Sequence, residues 1–164
     1  MSIKLNKTTK TIGILLGLTL FAIIGLAQTK KIVQPTKAVI LSELTATVYR
    51  SPTCNCCEKY ISYLRARDIK VEEKLESDMS AIKTKLGVPA DLFSCHTMKI
   101  GDYVVEGHVP IEAIEKLTSE KPAIVGIGLP GMPSGSPGMP GAKTGPFEIK
   151  QFKNDGSVSL FIAL

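Results

Sequence analysis

Outside two short segments the chain has no cysteine. Of its 164 residues only four are cysteine, three of them within Cys54-Asn55-Cys56-Cys57 and the fourth at Cys95. That absence excludes a disulfide scaffold, which would spread half-cystines to staple distant loops. A chain of this length buries a core without such staples. Also lacking is any lysine or arginine run interleaved with aromatics. The formal charge of +5 includes Lys4, Lys7 and Lys10, and only +2 remains from Gln28 onward, so nucleic acid is not an expected partner. Nor is there an apolar run of the roughly 20 residues that a membrane-spanning helix needs. The sixteen residues from Ile12 to Ala27 follow the three lysines and end in Gly25-Leu26-Ala27. They read as an export signal over residues 1–27, cleaved near Ala27 or retained as an anchor. Membrane contact is then expected only through an uncleaved N-terminus.

What is present divides into a tether, a domain and an extension. Residues 28–43 mix Pro35 with lysines and scattered aliphatics and read as a tether; the domain occupies 44–122. A strand over Ala46 to Tyr49 turns at Ser51-Pro52-Thr53 into a helix. Its spacing points Cys57, Tyr60 or Ile61, and Leu64 inward, and Asp68 ends it. A second strand runs from Lys70 to Leu75. Ser77 or Asp78 caps a second helix expected to bury Met79, Ile82 and Leu86, ended by Gly87 and Pro89. His96 to Ile100 and Tyr103 to Glu106 form a hairpin around Gly101-Asp102. Pro110 opens a third helix with Ile111, Ile114 and Leu117 on one face. The order β-α-β-α-β-β-α is that of a thioredoxin-like α/β domain.

The extension, 123–164, has a different texture. Between Gly126 and Gly145 glycine and proline dominate, with the near-repeat Pro130-Gly131-Met132-Pro133 and Pro137-Gly138-Met139-Pro140. This Gly/Pro/Met-rich loop is expected to form neither helix nor central strand. Phe147 to Lys153 and Ser157 to Ile162 flank Asn154-Asp155-Gly156, which predicts a C-terminal β-hairpin.

The chemistry lies at the cysteines. Cys54 and Cys57 have the Cys-x-x-Cys spacing of a redox dithiol at a strand-to-helix junction, where the helix dipole favours thiolate. A redox pair needs only two sulfurs, however, and Cys56 adds a third that suits a soft metal. Cys95 precedes the third strand, where thioredoxin-like proteins carry a cis-proline facing the redox cysteines. In that fold four sulfurs would converge, with His96 alongside. His108 is either a further ligand or a cap for the third helix, and Met132 and Met139 are candidate thioether ligands. Met98 and Met79 read as packing. Thiolate, imidazole and thioether together favour Cu(I); zinc would accept four thiolates or three plus His96, and iron–sulfur spacing fits less well.

Four stretches carry a resemblance: Tyr49-Arg50-Ser51-Pro52-Thr53-Cys54-Asn55-Cys56-Cys57, Ser94-Cys95-His96-Thr97, Val105-Glu106-Gly107-His108-Val109-Pro110, and Pro130 to Met139. In these the chain resembles the CopG-like exported proteins of copper-resistance systems, a family long labelled a domain of unknown function. The resemblance implies a thioredoxin-like domain whose C-terminal extension folds over the cysteine site. It implies periplasmic copper binding, with cycling between Cu(I) and Cu(II). Cys54, Cys56, Cys57 and Cys95 are the implied ligands, with His96, His108, Met132 and Met139 as candidates and a copper exporter or periplasmic copper chaperone as partner. Two other readings stay open: a thiol–disulfide oxidoreductase using Cys54 and Cys57, and a structural zinc module.

Overall fold

The computed structural model describes residues 43–164. The segment read as an export signal and nearly all of the tether lie outside the described residues. The elements run β1 (Thr45–Arg50), α1 (Asn55–Arg65), β2 (Lys70–Leu75), α2 (Met79–Lys85), a 3-10 turn (Ala90–Leu92), β3 (His96–Ile100), β4 (Tyr103–Gly107), α3 (Ile111–Glu120), β5 (Gly126–Leu129), β6 (Glu148–Phe152) and β7 (Val158–Ala163). Among the described residues the strands form one mixed sheet in the order β2-β1-β3-β4-β5-β6-β7. β1 is parallel to β2 and antiparallel to β3; β4 is antiparallel to β3 and parallel to β5; β6 and β7 continue antiparallel.

Helical periodicity places the core where it was expected on two helices. α1 buries Cys57, Tyr60, Ile61 and Leu64, and α3 buries Ile111, Ala113, Ile114, Leu117 and Thr118. Both stripes meet Ala46 and Val48 of β1 and Met98 and Ile100 of β3 in one cluster. Met98 is fully buried, as packing requires. The N-cap of α3 is Pro110, so His108 does not cap that helix.

Two expectations fail. α2 does not bury Met79, Ile82 and Leu86, which are half-buried; the residue it buries is Lys83, 3% exposed. Asp78 caps this helix by accepting from the Ala81 N–H, but beneath it lies a carboxylate rather than apolar core, so the lysine stem turns inward. The second failure is β5, a central strand in the glycine-rich region where none was expected, buried at all four positions. A Cβ on Gly126 would stand 2.0 Å from the Val104 carbonyl oxygen and 2.8 Å from Phe152. Glycine here permits close strand approach, while Ile127 and Leu129 supply the core contacts.

The C-terminal hairpin forms around Asn154-Asp155-Gly156 as expected, with Ser157 donating its N–H to Asp155. Leu64, fully buried between α1 and β1, reports on the core: Leu64→Ala is expected to cost about 2–5 kcal/mol in urea unfolding. A loss below about 1 kcal/mol would mean that this helix face is not packed as described.

Candidate metal centre

The cysteines meet because of strand register. In the β1–β3 ladder Arg50 lies opposite His96, so the turn leaving β1 and the segment entering β3 emerge side by side at one sheet end. Arg50 is 6% exposed, and its guanidinium holds that turn. It donates to the carbonyls of Ser51 at 2.9 Å and Pro52 at 3.2 Å, to Glu58 of α1 at 2.9 Å, and pairs with Glu73 of β2. Cys54 is the N-cap residue of α1, in extended conformation and without a side-chain cap bond. Its sulfur therefore does not cap the helix, and it sits at the helix's positive end.

All four sulfurs, of Cys54, Cys56, Cys57 and Cys95, lie within 4.8 Å of one another. Cys57 is buried and the others are half-buried. Cys54 and Cys57 are joined as a disulfide, leaving Cys56 and Cys95 as free thiols. The Cys56 sulfur stands 3.4 Å from Cys54 and 3.4 Å from Cys95. Burial, and then the Cys56 thiol beside it, push the Cys95 thiol up to about 12, so it carries its proton at neutral pH.

The histidines stand next to this set, not in it: neither joins the group of mutually close ligand atoms. Both are fully buried, their rings 4.8 Å apart and edge to face, with Tyr60 packed 4.4 Å from His96 and 5.6 Å from His108. His108 Nδ1 lies 2.7 Å from the Pro137 carbonyl, which can only accept; Nδ1 therefore carries the proton and Nε2 keeps its lone pair. Nε2 of His108 and both nitrogens of His96 have no hydrogen-bond partner. Burial foremost, aided for His96 by the neighbouring His108 and Lys83, holds both rings below the usual imidazole range. The Gly107 backbone opposes the shift at His96 only from outside hydrogen-bonding geometry.

The Gly/Pro/Met loop packs on the helix that carries the cysteines. At Gly138, with φ of +82°, a Cβ would stand 2.8 Å from the Tyr60 nitrogen and 2.9 Å from the Cys56 carbonyl oxygen. Pro137 binds His108 immediately before that contact. Met139 is half-buried directly after it, whereas Met132 is 41% exposed at a left-handed φ of 48°. The structure thus ties the Met139 half of the near-repeat to the cysteine helix, while Met132 faces solvent.

Sequence reasoning missed Lys83 and quoted Thr97 and Glu106 only within motifs. These three form a buried polar network behind Cys95. A lysine on a short amphipathic helix reads as solvated surface, and its pairing with a residue 23 positions away leaves no local signal.

Taken together, fold and site define a mixed α/β protein with a four-sulfur cluster at a helix N-terminus. The family described as Protein of unknown function, DUF411, matches residues 92–139. Two solved structures named copper resistance protein CopG resemble the chain over most of its length. Form 2 is 41% identical with a TM-score of 0.69, covering 74% of this chain and 98% of its own. Form 1 is 40% identical with a TM-score of 0.67, covering 73% and 96%. No curated protein matches. The chain belongs to the CopG-like copper-resistance family.

Two outcomes are expected from this geometry. Gly138→Ala, strained by positive φ and by backbone contact, should lift the loop from α1 and raise the alkylation rate of Cys56, read by mass spectrometry; an unchanged rate would separate loop from site. The second concerns pH. Both histidines are neutral when folded, so the unfolded chain takes up protons first. Their share of stability is complete above the unfolded value of about 6.5 and is lost as pH falls below it, toward and through the folded values. The urea midpoint should drop between about pH 7.5 and about pH 5.5, and drop less in His96→Gln.

Proposed function

We propose that this protein is an exported copper-binding protein that holds Cu(I) on Cys54, Cys56, Cys57 and Cys95. The observation that carries the reading is the convergence of all four cysteine sulfurs within 4.8 Å. Soft thiolates select Cu(I), and the similarity to proteins named for copper resistance favours copper over zinc. On this reading the strand order β2-β1-β3-β4 with its helices is a thioredoxin-like core, and β5 to β7 with the methionine loop extend it. Residues 1–27 would deliver the protein to the periplasm, and a copper exporter or periplasmic copper chaperone would be its partner.

Charge decides the nuclearity. Four thiolates around one Cu(I) leave a net charge of −3 in a half-buried site, which is costly. Sharing sulfurs among several Cu(I) ions lowers that charge, so a multinuclear cluster is favoured. Such a cluster needs the Cys54–Cys57 bond reduced, since the disulfide form offers only Cys56 and Cys95. His108 Nε2, His96 and the Met139 thioether would complete coordination at the edge, and Met132 would take part only after moving inward.

The two sulfur states also suit copper redox chemistry. Two Cu(II) ions would each take one electron from the Cys54 and Cys57 thiolates, which close their disulfide. The resulting Cu(I) would remain on Cys56 and Cys95. A thiol reductant outside this chain would supply two electrons and two protons to reopen the bond. The reverse use, a thiol–disulfide oxidoreductase, is the second reading, and the Cys54–Cys57 bond favours it.

Anaerobic titration of the reduced chain with Cu(I) separates these readings. More than one copper per chain is expected, and saturation at one would contradict the multinuclear site. Cys56→Ser and Cys95→Ser should abolish stoichiometric copper binding. An oxidoreductase working through Cys54 and Cys57 would instead keep its disulfide reductase activity in both variants.

A further inference from the structure

A buried ion pair stands directly behind Cys95, outside the set of four sulfurs. Lys83 is 3% exposed and Glu106 0% exposed, with Nζ 2.5 Å from Oε1. The same Oε1 accepts the Ser94 backbone N–H at 2.6 Å, and Oε2 accepts the Thr97 hydroxyl at 2.7 Å. Lys83 also donates to the Thr97 hydroxyl at 3.0 Å. One carboxylate therefore binds the residues on both sides of Cys95-His96. Ser94 lies two residues before the first residue of β3, outside its ladder. The next residue after Glu106 serves the same approach: a Cβ on Gly107 would stand 2.6 Å from the Ser94 hydroxyl.

Stability alone is a weak account of this arrangement. Replacing a buried ion pair by well-packed apolar residues is often neutral or stabilising, because desolvation offsets the Coulombic gain. Position is the stronger account. Cys95 is the one sulfur contributed from outside the α1 turn, and its distance of 3.4 Å from Cys56 depends on where the Ser94 segment lies.

We propose that Glu106, oriented by Lys83, is a positioning residue that sets Cys95 as the fourth sulfur of the cluster by holding the Ser94 N–H. The metal readout of this proposal rests on the copper reading above; the sulfur geometry does not.

Two full-length double variants isolate the acceptor. Lys83→Met with Glu106→Gln keeps a carbonyl oxygen for Ser94 without charge; Lys83→Met with Glu106→Leu is equally neutral but has no acceptor. In the reduced metal-free chain, the Leu variant should alkylate faster at Cys95 relative to Cys56, while the Gln variant stays near the parent. Cu(I) affinity should fall about 10–100-fold in the Leu variant and little in the Gln variant, at matched melting temperatures. If both variants match the parent in both readouts, the pair is merely structural and the proposal fails. Equal impairment of both variants would assign the effect to charge and also overturn it. Should the Leu variant not fold, Ser94→Pro deletes the donor and leaves the ion pair intact; it is expected to reproduce the Cys95 change, and parent behaviour would overturn the proposal. Absence of copper binding in the parent would sink the copper reading, while alkylation would still decide the positioning role.

Discussion

The register of β1 against β3 is the constraint on which the site depends. Arg50 opposite His96 means that the chain leaving β1 and the chain entering β3 pass each other at one end of the sheet. Cys54 opens α1 four residues beyond Arg50, and Cys95 precedes His96 by one. A slip of one residue would turn the side chains of a strand to the opposite face. Fully buried Val48 and Met98, opposite one another in the same ladder, hold the register against such a slip. Hydrophobic packing thereby sets the spacing of sulfurs that lie outside both strands.

Fixed charges then hold what the register brings near. Arg50 ties the turn before Cys54 through two backbone carbonyls and Glu58, and Glu106 ties Ser94 and Thr97 around Cys95. The two cysteine-bearing segments thus have separate polar anchors, one cationic and one anionic, each almost fully withdrawn from water. Next to them the two buried histidines are held neutral against Tyr60, with three of their ring nitrogens unpartnered. A neutral imidazole keeps one ring nitrogen's lone pair, and Pro137 determines which nitrogen of His108 that is. The loop supplying Pro137 also presses Gly138 onto α1, so the extension belongs to the site as well as to the sheet.

How legible this was in the sequence follows from how local each signal is. Three cysteines in four residues, helical spacing at Cys57, Tyr60, Ile61 and Leu64, and a turn at Asn154-Asp155-Gly156 each announce their structure within a few positions. Lys83 gives no such sign: at a core-facing helical position a lysine reads as solvated until Glu106, 23 residues on, is known to lie beneath it. β5 was hidden by its glycines, which ordinarily argue against a central strand but here allow β4 and β6 to approach. The two methionine repeats, alike in sequence, differ in placement. Only Met139 follows a glycine seated on α1, and Met132 turns outward with left-handed backbone.

On the proposed reading, four sulfurs act as one ligand set for several copper ions. X-ray absorption at the copper edge of the reduced, Cu(I)-loaded chain tests it most directly, because it reads the donor atoms and the metal neighbours of each copper together. A first shell dominated by sulfur with a resolved copper–copper vector is expected in the parent chain, and both are expected to be lost in Cys95→Ser. A shell of nitrogen or oxygen donors without any copper neighbour would contradict it and return the cysteines to disulfide chemistry.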